Sequence, residues 1–387
     1  MMAGNAPDER AAEQAPMVGE PHDPLLSLRS GRSDEPEFDL ALIGTVFFDI
    51  VFTGLGGDPH PGTEVHAQGM GSCPGGTANL AVAAARLGLR TTLASAFGED
   101  VYGDFCWETL ETGERVDLSA SYRVPDWHSP VTVSAAYAGD RSMMTHEHEA
   151  PVPVADLAAR LPQSAAVFAP LSTRFPTWVR DRAAAGALVF ADVGWDSTLV
   201  WSEETLAGLE HCHAFMPNTR EAIAYTRQDD PRGACKALAE RVPLAVVTRG
   251  DHGAIAIDSG TGEEAEVDGL AMDAVDPTGA GDVFGAALMM GTLAGWPLSQ
   301  RLRLANLCAA LSVQYIGGSL SAPGWADIAI WYAQMRAVGD KRLRSEYAFL
   351  GDLIPTQWRP TLDRRSVATI GLRTRADSLE GNGVDSE

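Results

Sequence analysis

Short apolar runs alternate with helical patterns through the middle of the chain, and this alternation limits the fold more than any other feature. Candidate strands are Leu40–Val46, Thr91–Phe97, Ala165–Pro170, Ala187–Val193, Ala214–Met216 and Leu244–Thr248. They are short and apolar with turn residues beside them, as strands buried on both faces are. Helical patterns cover Ala78–Leu87, Thr177–Ala185, Glu203–Glu210, Thr219–Tyr225, Arg232–Arg241, Ala280–Leu293 and Gln300–Tyr315. A β-α-β-α order predicts a mostly parallel sheet covered by helices. Two regions break the rhythm. Val131–Tyr137 and Arg141–Glu147 flank the turn Ala138-Gly139-Asp140, and Phe48–Phe52 continues as strand-like sequence toward Gly54–Gly57. These pieces predict a small β-layer apart from the main sheet. In open α/β folds ligands sit beyond the carboxyl ends of the strands, where such a flap would cover a substrate and exclude water.

Composition removes several function classes. Among 387 residues, 29 Lys and Arg face 52 Asp and Glu, a net charge of −23. Nucleic acid and anionic membranes demand a basic face, so neither is expected as a main partner. Lys236 and Lys341 are the only lysines, so neither a Gly-Lys phosphate loop nor the V-A-I-K strand of protein kinases is present. Phosphate chemistry here must use backbone amides, helix ends, Arg or a metal. Cys73, Cys106, Cys212, Cys235 and Cys308 are far apart and form no C-x-x-C, which suits a reduced cytoplasm. The opening MMAGNAPDER is not a secretory signal, and no apolar stretch of about 18 residues predicts a membrane span. Residues 1–37 read as a disordered acidic leader and 38–335 as the main domain, with a lid from about 48–70 and 120–150. Residues 336–387 read as a partly disordered C-terminal extension.

Four local patterns carry chemistry. In Asp276-Pro277-Thr278-Gly279-Ala280-Gly281-Asp282-Val283-Phe284 a small-residue turn enters a long apolar helix. Bare amides at Gly279, Ala280 and Gly281, with the helix dipole, suit a phosphate. Asp282 in the first turn is placed to take a proton from a hydroxyl, although Asp is equally a common helix-start residue. Gly75-Gly76-Thr77-Ala78-Asn79 precedes a helix stopped at Gly88. Its glycines permit close backbone approach, Thr77 reads as the N-cap, and Asn79 suits a sugar hydroxyl. The other reading is a tight loop into a core helix. Asn218-Thr219-Arg220-Glu221 matches a capping box, and the same pair suits a water-coordinated magnesium ion. Thr248-Arg249-Gly250 ends an apolar run, either as a nucleotide contact or as a turn into the next strand.

In this order and spacing the four patterns resemble the ribokinase-like (PfkB) family of carbohydrate and nucleoside kinases, from roughly Asp39 to Ile330. The resemblance implies an α/β fold, a three-layer α/β/α sandwich with a mostly parallel central sheet and a small β-lid. It implies transfer of the ATP γ-phosphoryl group to a primary hydroxyl of a ribose- or fructose-like sugar. Asp282 would be the general base and Gly279, Ala280 and Gly281 the anion hole. Asn218 and Glu221 would act on Mg2+ through water. Thr248 and Gly250 would line the nucleotide, with Asn306 toward the adenine. Asp49, Gly75, Gly76 and Asn79 would bind the sugar. Asp276, Thr278, Gly317 and Ser321 fall where potassium-activated members place K+ ligands. A homodimer joined through the lid is expected. Thr77 follows the paired glycines where ribokinase and several sugar-phosphate kinases carry Lys, which favours an unphosphorylated acceptor.

Three alternatives stand beside this reading: a nucleoside kinase of the same fold, a catalytically silent regulator, and a dinucleotide-dependent oxidoreductase. The last rests on Gly279-x-Gly281-x-x-x-Gly285, one residue out of step with G-x-G-x-x-G. In Thr145-His146-Glu147-His148-Glu149 the two histidines share one strand face, but without a third ligand they fall short of a zinc site. Cys73 lies beside the paired glycines with no neighbouring base, and a nucleophilic role is not expected.

Overall fold

The computed structural model describes residues 25, 36–58, 60–137, 140–172, 175–194, 199–354 and 365–371. Most of the acidic leader, the turn residues Ala138 and Gly139, and residues 355–364 and 372–387 lie outside the described residues.

Among the described residues fourteen strands form three sheets: β1 Phe38–Ile43, β2 Val46–Thr53, β3 Gly69–Gly76, β4 Thr91–Ala94, β5 Ala96–Gly98, β6 Tyr122–Val124, β7 Val131–Tyr137, β8 Asp140–His146, β9 Ser164–Leu171, β10 Leu188–Val193, β11 Ala214–Phe215, β12 Leu244–Thr248, β13 Ala254–Asp258 and β14 Glu263–Val267. The main sheet runs β14-β13-β12-β11-β10-β9-β1-β4. From β4 to β12 the pairs are parallel, and β13 and β14 close the far edge antiparallel. This sheet buries both faces by strict alternation. Leu40, Leu42, Leu93, Phe190, Leu244 and Val246 enter one apolar cluster with the helices Thr77–Arg86, Ala280–Leu293 and Leu298–Ser312. Ala41, Ile43, Ala94, Val189, Ala191, Ala245 and Val247 enter a second cluster, with Val179, Leu206, Tyr225 and Leu238 from the opposite helical layer. Neighbouring side chains on a strand point to opposite faces, so one sheet supports two cores and three layers result. No helix among the described residues is long and apolar enough to cross a membrane.

Two predicted strands are each divided. The first stops at Ile43, and the chain turns through Gly44 and Thr45 into β2. A Cβ on Gly44 would meet Thr77 Oγ1 at 2.0 Å, so this turn lies directly against the next helix. Thr91–Phe97 breaks at Ser95, whose N–H donates to Ser121 Oγ at 3.0 Å, and β5 pairs with β6 instead of the main sheet. Glu203–His211 is a 3-10 helix, not α.

A second sheet, in the order β3-β2-β7-β8, covers the carboxyl edge of the first. It is the small β-layer that the broken rhythm predicted. The helix Trp325–Val338 crosses the expected 335/336 boundary, and Tyr347 and Leu350 are buried in the first cluster. Further on, Ser72 N–H donates to Val367 O at 2.6 Å and Ser366 Oγ to Ile316 O at 2.7 Å. Residues 365–368 therefore run between the lid strand β3 and the 316–322 loop.

Candidate active site

The site forms where the helix Ala280–Leu293 starts beneath the lid. Gly279 precedes it with φ 76°, a left-handed conformation that glycine adopts without strain, and a Cβ there would meet the Gly318 backbone at 2.9 Å. No side chain caps this helix, and open space surrounds the Cα of Gly281. Of the three amides expected to cradle an anion, that of Ala280 is turned to Pro277 O at 3.3 Å.

Asp282 occupies the first turn, half-buried, and accepts a 3.0 Å hydrogen bond from Asn79 Nδ2. Burial raises its pKa to about 6, opposed by the Asn79 bond and by the positive charge of Arg141. Asn79 Oδ1 is buried with no hydrogen-bond partner among the described residues. Thr77 is the first residue of its own helix, and Gly76 is the N-cap, correcting the sequence expectation. Gly76 takes φ 61°, and a Cβ there would strike Thr45 O at 2.6 Å.

Asp49 enters from β2. It lies against the backbone of Gly75, where a Cβ would meet its carboxylate at 1.8 Å. Burial and the charges of Asp276 and Asp282 push its pKa to about 7, while Arg141 pulls the other way. The same burial holds Cys73, opposite Asp49 in the lid, as a thiol with its pKa pushed up to about 12.

Asp276 is fully enclosed. Its carboxylate accepts from Thr278 N at 3.0 Å and from Gly317 N at 2.9 Å. Ser321 N donates to Gly317 O at 3.2 Å, so the four residues expected to hold a monovalent cation are neighbours. Thr278 Oγ1 is buried with no partner among the described residues, an oxygen that suits a cation.

Asn218 and Glu221 form the full capping box, with bonds of 3.0 and 2.9 Å. Glu221 is raised in pKa by burial, and Asp192, at the end of β10, is raised well above the ordinary range by burial and by the charge of Glu221. Thr219 Oγ1 donates to Thr248 O at 3.0 Å and ties this corner to β12. Asn218, Thr248 and Gly250 then line one open cleft of about 390 Å³. Asn306 sits elsewhere, donating to Asp268 O at 2.9 Å and hydrogen-bonded with Tyr347.

Two residues join the site unannounced by any motif. Asp192 ends a parallel strand at the ligand-bearing edge, a position that was readable in principle. Arg141 comes from the lid strand β8, and its charge reaches both Asp49 and Asp282. No local pattern marks it. The Gly279-to-Gly285 spacing follows a loop, not a strand, and lacks the strand–turn–helix context of a dinucleotide fingerprint.

Residues 38–325 match the model of the pfkB family of carbohydrate kinases, and the chain belongs to that family. It is therefore a phosphotransferase of the carbohydrate and nucleoside kinase class. It is 24% identical over 330 residues to the ATP-dependent 6-phosphofructokinase of Thermoanaerobacterium thermosaccharolyticum, covering 77% of this chain and 95% of that one. It is 28% identical over 298 residues to the nucleoside kinase of Methanothermobacter thermautotrophicus, covering 74% and 92%. Arabidopsis thaliana ribokinase, solved with ribose and ATP, shares the fold with a TM-score of 0.57 at 23% identity, over 75% of this chain and 96% of that one.

Asn79 gives a test of the site's electrostatics. Its amide stabilises the ionised form of Asp282, so Asn79→Ala should raise the pKa of that carboxyl. The acid limb of the activity profile should move to higher pH by roughly half a pH unit. A purely structural role would lower stability and leave the limb in place.

Proposed function

We propose that the chain transfers the γ-phosphoryl group of ATP, as its magnesium complex, to the primary hydroxyl of an unphosphorylated ribose- or fructose-like sugar. The observation that carries this reading is the Asp282 carboxylate beside an uncapped helix start, held by Asn79 and facing Asp49 beneath a β-lid. Asp282 accepts the proton of the acceptor hydroxyl as the new O–P bond forms. The amides at Gly279 and Gly281, with the helix dipole, stabilise charge on the transferring group, while that of Ala280 is engaged by Pro277 O. Asp49 and the free oxygen of Asn79 orient sugar hydroxyls over Gly75 and Gly76. Thr248 and Gly250 line the nucleotide cleft. ATP would supply the phosphoryl group. Glu221 and Asn218, with Asp192 beside them, would hold a magnesium ion through water, and that ion would supply charge neutralisation of the phosphate oxygens. Asp276, Thr278, Gly317 and Ser321 would hold K+, a reading supported by their proximity.

Among the described residues, Asp49, Asp276 and Asp282 stand against the guanidinium of Arg141. That balance repels a second substrate phosphate, so the missing Lys after Gly76 is not made good from the lid. Likeness to a nucleoside kinase over 92% of that protein supports a nucleoside as the second reading. We read residues 38–335 as the kinase domain. Pairing of two copies would use β8, the free lid edge, which exposes Met143 and Met144.

An ADP-release screen over sugars, nucleosides and sugar phosphates, with and without potassium, tests this. Magnesium-dependent turnover fastest with a free pentose or hexose supports the proposal. A preference for adenosine or for a sugar phosphate overturns the acceptor, and no turnover with any class overturns the enzyme in favour of a silent regulator.

A further inference from the structure

Three of the lid's histidines lie together and are not used by the phosphoryl-transfer site. His146 ends β8 and His148 follows two residues later. His128 arrives from the loop between β6 and β7, eighteen residues upstream of His146 in the sequence. The three rings face one another, with centroids 4.9 Å apart for His128 and His146, 4.8 Å for His128 and His148, and 5.2 Å for His146 and His148. One nitrogen from each lies within 4.8 Å of the others, and all three residues are exposed. We propose that His128, His146 and His148 form a binding site for a divalent transition-metal ion, with zinc as the representative ion.

The donor set selects the metal. Three imidazole nitrogens with neither thiolate nor carboxylate suit Zn2+, Ni2+ or Cu2+, whereas Mg2+ and Ca2+ demand oxygen. All five cysteines are buried and free. A tetrahedral ion with metal–nitrogen bonds of about 2.0–2.1 Å needs its ligand nitrogens about 3.4 Å apart. Small rotations of exposed rings close that difference without backbone movement, and solvent takes the fourth position. One ring is already oriented, since His128 Nδ1 lies 3.1 Å from Ser129 O. When Nδ1–H donates to that carbonyl, Nε2 is left to bind metal, the usual outer-sphere arrangement for a ligating histidine. The bound ion would pin the loop before β7 to the end of β8. β7 pairs with β2 and sets Thr132 opposite Asp49, so the clamp stiffens the sheet that carries a substrate-facing carboxylate. Oxygen donors at Glu221 and Asp192 form a separate site for a harder ion.

The test is a zinc titration of the untagged, metal-stripped full chain against a chromophoric chelator, without nucleotide. One zinc per chain is expected. His128→Asn should weaken it more than about tenfold, and His146→Asn with His148→Asn should abolish it. Asp282→Asn should leave zinc affinity unchanged, which separates this site from the carboxylates and from the fate of the kinase reading. Circular dichroism checks that each variant keeps its fold, as exposed positions should. Absence of stoichiometric zinc, or equal affinity in the double variant, overturns the proposal.

Discussion

Asp282→Asn is expected to lower kcat by about two to four orders of magnitude while leaving ATP affinity within about threefold. Asparagine keeps the shape and the bond to Asn79 but cannot accept the proton of the acceptor hydroxyl. The wild-type pH profile carries the same information. Burial lifts the Asp282 carboxyl from an ordinary 3.8 to about 6. Only the ionised form is a base, so kcat/KM should be flat above about pH 7 and fall about tenfold per pH unit below about 6. A normal aspartate would hold activity two pH units lower. Steady-state kinetics on both proteins decide the matter: a loss under tenfold in the variant sinks Asp282 as the base.

The largest stability effect is expected at Glu114→Ala. Arg86 ends the first helix of the central domain, with side-chain exposure of 2%, and meets Glu114 through two bonds of 2.8 and 2.9 Å. The same guanidinium holds Leu320 O at 3.2 Å and Ala322 O at 2.5 Å. Removing the carboxylate takes a bidentate ionic partner from a buried cation, at a cost of about 3–5 kcal/mol. The melting temperature should fall by roughly 5–15 °C by scanning calorimetry. A change below about 1 °C would show that water or the carbonyls alone solvate Arg86. Leu320 and Ala322 flank Ser321, so any potassium dependence should weaken in the same variant.

Local patterns exposed much of this site because the residues lie next to one another in the chain. Gly279, Ala280, Gly281 and Asp282 occupy a single helix turn, and the Asn218–Glu221 box needs only one more. In that box the structural and functional readings were never exclusive, because each carboxylate and amide has more than one atom to offer. The division of the first strand at Gly44 was hidden. Apolar residues resume directly after Gly44 and Thr45, and the contact of Gly44 with Thr77 shows where the chain leaves the main sheet.

The sequence alone determined the alternating α/β frame, since burial on two faces requires uninterrupted apolar strands, and it determined the residues of the helix-start cradle. Tertiary structure decided what distance along the chain conceals. Arg141 reaches Asp49 and Asp282 only through the pairing of β7 with β2, and the segment 365–368 reaches Ser72 only after the chain has crossed the whole fold. His128 becomes the third partner of His146 and His148 in the same way. A periodic pattern reports which face of an element is buried; it carries no information on which two elements meet, because long-range pairing depends on how all the buried faces pack at once.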